Sequence, residues 1–141
     1  MPTRTGKAEW QGDLREGRGT LSLGSGAFEG PYSFASRFEE GNGTNPEELI
    51  AAAHAACYSM ALSNALATAG HVPASVRTTA TVHLGRNDSG PAITRIDLEC
   101  EASVPGLEEG DFLERAEAAK DGCPVSKALS AVEIGLSAKL L

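Results

Sequence analysis

Asn45-Pro46-Glu47-Glu48-Leu49-Ile50-Ala51-Ala52-Ala53-His54-Ala55-Ala56-Cys57 reads as the opening of a long helix. Asn45 can cap it, and Pro46 suits the first helical position, where a missing N–H costs nothing. Glu48 follows the cap by three residues, as in a capping box. Alanines and leucines carry the pattern to Ala69, and Gly70 supplies the stop. No Asp, Glu, Lys or Arg occurs between Leu49 and Gly70. Small residues lie on all faces, so the pattern predicts a central, nearly enclosed helix. Its length also suits a membrane span. His54, Ser59, Ser63, Asn64 and Thr68 interrupt it, however, and a buried helix of a soluble protein is the expectation.

Upstream, Lys7 to Trp10, Gly17 to Leu23 and Tyr32 to Phe38 alternate weakly and are separated by Gly-rich connections, which suggests an antiparallel meander. Downstream, Ser75 to Leu84 and Ala92 to Val104 flank the turn cluster Arg86-Asn87-Asp88-Ser89-Gly90-Pro91 and should pair as a hairpin. A second helix is expected over Glu108 to Asp121, ended by Gly122. Cys123-Pro124 then forms the cap and first residue of a short helix, Val125 to Leu129, before a last strand from Val132 to Leu140. Strands, helix, strands, helix and strand in that order indicate an α+β fold, expected as one domain over residues 1–141.

At 141 residues, with 16 glycines and 5% aromatics, the chain must build its core largely from small side chains. Such a core gains from a partner subunit, so an oligomer is expected. The formal charge of -7 and the lack of any basic run argue against nucleic acid as a partner. The N-terminus Met1-Pro2-Thr3-Arg4-Thr5-Gly6 has no apolar signal region, and three cysteines are an odd number. Both point to a cytoplasmic protein rather than a secreted disulfide scaffold, with no membrane partner.

The cysteines carry the chemical interest. Cys57 lies inside the uncharged helix, where a thiol taken alone reads as a buried hydrophobe. Cys123 lies at a helix cap, where free N–H groups and the helix dipole favour a thiolate. A helix junction that merely tolerates cysteine is the equal alternative. Cys100, between Glu99 and Glu101, reads as structural. Arg37 and Glu47 are read as an ion pair, either an ordinary surface pair or one that activates a thiolate. His54 stands one turn before Cys57, but two ligands do not make a zinc site. No metal and no cofactor is expected.

The stretch from Gly43 to Cys57, with Gly122-Cys123-Pro124-Val125-Ser126, closely resembles the OsmC branch of the OsmC/Ohr family. The similarity extends through Ala8-Glu9-Trp10 and Gly12-Asp13, and through Val104-Pro105-Gly106. The resemblance implies an OsmC-like fold, an intertwined homodimer in which antiparallel sheets wrap two central helices. It also implies a stress-response peroxidase acting on organic hydroperoxides. By motif, Cys57 corresponds to the peroxidatic cysteine, Cys123 to the resolving cysteine, Glu47 to the acidic residue after Asn-Pro, and Arg37 to the arginine of the OsmC branch. Arg15 and Arg18 are weaker candidates for that arginine. A lipoyl-type dithiol is the reductant the family suggests, and Phe38, Ile50 and Leu62 are expected to favour alkyl substrates. The rival reading is a redox-responsive switch that forms the same disulfide without useful turnover.

The helix spacing adds an independent constraint. Glu47 and Cys57 are ten positions apart, which on a straight helix is about 15 Å of rise. If both serve one compact site, they come from different subunits.

Overall fold

The long helix begins as its sequence predicts. The Asn45 side chain accepts the Glu48 N–H at 2.8 Å, and helix α2 runs from Pro46 to Thr68. Gly70 closes it with φ +93, a left-handed conformation that side chains avoid. In the computed structural model, which describes residues 1–141, the chain forms two compact units, residues 1–49 and residues 50–141.

In the first unit, β1 (Gly6–Gln11), β2 (Arg18–Leu23) and β3 (Glu29–Tyr32) form an antiparallel meander. Gly19 pairs with both Trp10 and Tyr32, whose rings meet at 5.3 Å between centroids. A Cβ on Gly19 would lie 2.5 Å from the Tyr32 ring, so only glycine allows the two aromatics to close over the strand. The third segment departs from expectation. The predicted strand Tyr32 to Phe38 is instead the end of β3 followed by a short helix, α1 (Phe34–Phe38). Ser33 and Ser36 make a reciprocal capping box that turns the chain there, which moves Arg37 from a strand end onto a helix.

In the second unit, β4 (Ser75–Asn87) and β5 (Gly90–Ser103) form the expected hairpin, and β6 (Glu133–Leu140) lies on the other side of β5. That last pairing corrects the expectation of purely antiparallel sheets, because β5 and β6 run parallel. Parallel neighbours need a long crossover, and here it contains α3 (Glu109–Gly122) and α4 (Pro124–Ala128). Ile96, Leu98, Cys100 and Ala102 alternate inward along β5. They share one core with Tyr58, Leu62 and Leu66 of α2 and Phe112, Ala116 and Ala119 of α3. The Tyr58 hydroxyl donates to the Ala116 carbonyl at 2.9 Å, which satisfies a fully buried phenol.

α2 is less enclosed than predicted. One stripe, His54, Tyr58, Leu62 and Leu66, is fully buried, whereas Ala52, Ala53, Ala56 and Asn64 are open and Met60 is 74% exposed. The spacing of four residues along the stripe is that of a helix with a single buried face. By length and composition α2 also passes for a membrane span, but this stripe gives it the character of a core helix.

Candidate active site

Cys57 and Cys123 are 66 residues apart in sequence, yet their sulfurs stand 2.9 Å apart. That is well beyond the bond length of a disulfide, about 2.05 Å. All three cysteines are free thiols. Two elements bring the pair together. α2 presents Cys57 one turn after the buried His54. Cys123 joins α3 to α4, its N–H bonding the Ala119 carbonyl and its own carbonyl receiving the Lys127 N–H, each at 3.0 Å. Pro124 at the first position of α4 fixes this junction, as the sequence predicts.

The two thiols differ in access and acidity. Cys57 is partly exposed, and Cys123 is completely buried. Burial pushes the Cys57 thiol up, and its contact with Cys123 adds to this, against a smaller pull from the Val125 N–H. Burial also opposes ionisation of Cys123. The hydrogen bond shared with Cys57, the Ser126 N–H and hydroxyl and the Val125 N–H together outweigh it and hold Cys123 below the ordinary thiol range. Cys123 makes no side-chain capping bond of standard geometry. Either sulfur can supply the shared proton, and the surroundings favour leaving it on Cys57.

Cys100 lies apart from this chemistry, on β5 in the core, with its thiol pushed up by burial. His54 does not meet Cys57 as a metal partner. Its Nε2 lies 2.7 Å from the Ser126 hydroxyl, and both residues are buried. Sequence reasoning assigned Ser126 no role. Its position three residues after Cys123, at the start of the helix that Cys123 caps, was the available signal.

Arg37 and Glu47 meet within the first unit. Arg37 Nε donates to Glu47 Oε1 at 2.9 Å and Nη2 to Oε2 at 3.1 Å, a two-pronged pair that fixes the guanidinium plane. The segments around them are tied together as well. Ser36 Oγ donates to the Thr44 carbonyl at 2.7 Å, and Asn45 Nδ2 to the Ser36 carbonyl at 2.9 Å. Glu47 is nearly buried, whereas the Arg37 side chain is 37% exposed and lies over the Phe38 ring. A cleft of about 370 Å³ beside Arg37 is lined by Trp10, Leu14, Tyr32, Phe34 and Phe38. Of the residues expected to favour alkyl groups, Phe38 therefore lines an open cleft, Ile50 is half-buried, and Leu62 is sealed in the core and meets no solvent. The other arginines are engaged differently: Arg15 lies over Phe34, and Arg18 donates to Gln11.

Comparison with known proteins places the chain among relatives. The family described as OsmC-like protein matches residues 39–137. The peroxiredoxin OsmC of Escherichia coli is 51% identical over 138 residues, covering 97% of this chain and 96% of its own. An organic hydroperoxide resistance protein of Xanthomonas axonopodis is 33% identical over 89 residues, covering 62% of this chain and 61% of its own. Among solved structures, an OsmC-like protein from Vibrio cholerae has a TM-score of 0.77 at 18% identity, covering 98% of this chain and 99% of its own. OhrB of Bacillus subtilis has a TM-score of 0.69 at 24% identity, covering 97% and 98%. These two establish the fold, and the family match with its near-full-length relative places the chain in the OsmC-like protein family.

Proposed function

We propose that this chain is a thiol-dependent peroxidase that reduces organic hydroperoxides to alcohols. The observation that carries the reading is the thiol pair itself: two sulfurs 2.9 Å apart, one reachable from solvent and one not. Cys57 is the attacking group, because a peroxide cannot reach the buried Cys123. Its thiolate takes the distal peroxide oxygen, the alcohol leaves, and a sulfenic acid remains. Cys123, held acidic by its donors, attacks the Cys57 sulfur, giving a disulfide and water. A dithiol of lipoyl type restores the pair by exchange. The names of the relatives support the substrate class. The decisive experiment is a dithiol-coupled assay with cumene hydroperoxide and hydrogen peroxide. Sustained turnover favouring the organic substrate supports the enzyme; stoichiometric oxidation without turnover leaves only a switch.

Cys57 needs positive charge to ionise, and within its own unit it has none that lowers its pKa. Arg37, oriented by Glu47, supplies it in this reading. Glu47 lies ten residues before Cys57 on one helix, about 15 Å along its axis, so the pair comes from the second chain of a homodimer. The open face of α2, with Met60 at its centre, supports such a partner. Residues 1–141 then work as a single domain, consistent with the alignment to the E. coli relative over nearly its whole length. Free thiols and re-reduction by a dithiol suit the reducing cytoplasm.

Two measurements test these assignments. Arg37→Ala should slow alkylation of Cys57 at neutral pH about tenfold, the effect of a one-unit rise in pKa, with Glu47→Ala acting less strongly in the same direction. Unchanged rates in both reduce the pair to a structural one. Mixed refolding of Cys57→Ser with Glu47→Ala chains should recover about a quarter of wild-type activity, since half the random dimers hold one intact site. No recovery despite demonstrated chain exchange means that each site is built from one chain.

A further inference from the structure

Helix α1 is five residues long, and so short a helix does not hold itself in water. Its Phe34 and Phe38 rings pack on each other at 4.9 Å between centroids, and Phe38 stays exposed, so apolar burial anchors it little. The buried residue of α1 is Ser36, a type found mostly at protein surfaces. A serine where an apolar anchor is usual calls for an explanation, and its hydrogen bonds supply one.

The Ser36 hydroxyl accepts the Ser33 N–H at 2.8 Å. Its single proton goes to the Thr44 carbonyl at 2.7 Å, a closer acceptor than the Ser33 carbonyl at 3.2 Å. The Ser36 carbonyl in turn accepts Asn45 Nδ2 at 2.9 Å. Thr44 is buried too, and its N–H donates to the Pro31 carbonyl at 3.0 Å, which fixes the same loop to β3. Ser36 directly precedes Arg37, while Thr44 and Asn45 stand three and two residues before Glu47. One serine therefore bridges the two segments that carry the ion pair.

We propose that Ser36 is a positioning residue, whose ties to Thr44 and Asn45 hold Arg37 in register with Glu47 and so aim the guanidinium at the Cys57 thiolate. The inference rests on the reading of Arg37 as the charge that ionises Cys57. The fork of bonds at 2.9 and 3.1 Å demands a fixed placement of α1 against the start of α2. Arg37 is 37% exposed, and a long side chain in that setting loses rotamer freedom when it is fixed. An arginine left to wander keeps its charge, but its field at a thiolate falls as the distance grows. Ser36 acts only through Arg37, so its effect should vanish where Arg37 is absent.

The pH dependence of iodoacetamide alkylation, read at the Cys57 peptide of the reduced protein, tests the assignment. Ser36→Ala should slow alkylation at neutral pH about threefold, through a rise of about half a unit in the Cys57 pKa. The limiting rate at high pH should not change, which separates lost acidity from lost access. Ser36→Thr keeps the hydroxyl and should return most of the neutral-pH rate. Asn45→Ser keeps a capping oxygen for α2 but loses the amide donor to the Ser36 carbonyl. It should shift the pKa in the same direction, and it serves if Ser36→Ala folds poorly. In an Arg37→Ala background, Ser36→Ala should add nothing, because changes that act through one group do not add. A wild-type Cys57 pKa in folded Ser36→Ala or in Asn45→Ser overturns the proposal, as does a shift that survives in full without Arg37. A wild-type pKa in Arg37→Ala alone overturns instead the underlying reading of Arg37 as the activating charge, and the proposal with it.

Discussion

Replacing Cys57 with serine should abolish hydroperoxide consumption, whereas replacing Cys123 with serine should leave one oxidation per chain and then stop. The asymmetry follows from burial. Cys57 is the only member of the pair that solvent reaches, so its loss leaves the acidic but sealed Cys123 without a peroxide to attack. Without Cys123 the sulfenic acid on Cys57 has no partner sulfur at 2.9 Å and proceeds to over-oxidised forms. Mass spectrometry of the peptides after stoichiometric oxidation reads both results. The wild type should yield a Cys57–Cys123 bridge with Cys100 still reduced. A sulfenic acid on Cys123 in the Cys57→Ser protein sinks the assignment of roles, and a bridge to Cys100 sinks the pairing.

Phe112→Ala should lower stability by about 3–5 kcal/mol, the usual cost of emptying a large aromatic site in a core. Phe112 is fully buried and sits in the cluster where α3 meets Ile96 and Leu98 of β5 and the Tyr58 and Leu62 stripe of α2. Urea unfolding at fixed protein concentration measures the loss, since association adds to apparent stability. A change below about 1 kcal/mol, typical of surface sites, contradicts the seat described for α3. The same variant has a chemical consequence. α3 ends at Gly122 and holds the Cys123 N–H on Ala119, so a loosened α3 should also slow disulfide closure.

Local chemistry made much of this fold legible in the sequence. Asn45-Pro46 marked the start of α2 to the residue, and Asp88-Ser89-Gly90 marked the hairpin. Cys123-Pro124 announced the helix junction, whereas the pull on the Cys123 thiol comes first from Cys57, a partner 66 positions away in sequence. What escaped was written in pairings between distant residues or in an unusual partner. α1 was hidden because its capping box uses Ser36 where glutamate is the familiar signal. The parallel placement of β6 depends on how a whole crossover packs, which no short window records. His54 and Ser126 were both visible as residues, but nothing in their local sequence ties them together across 72 positions.

The sequence separation of 66 positions between Cys57 and Cys123 has a thermodynamic consequence. Bridging them closes a large loop in the unfolded chain, which by the chain-entropy treatment disfavours unfolding by about 4 kcal/mol. A closed cycle of folding and oxidation requires the same quantity to appear as a preference of the folded chain for the bridged state. The fold therefore acts on its two sulfurs as a high effective concentration of each for the other. In the proposed cycle each turn would therefore alternate between a more and a less stable protein, and the reductant that opens the bridge would also lower stability.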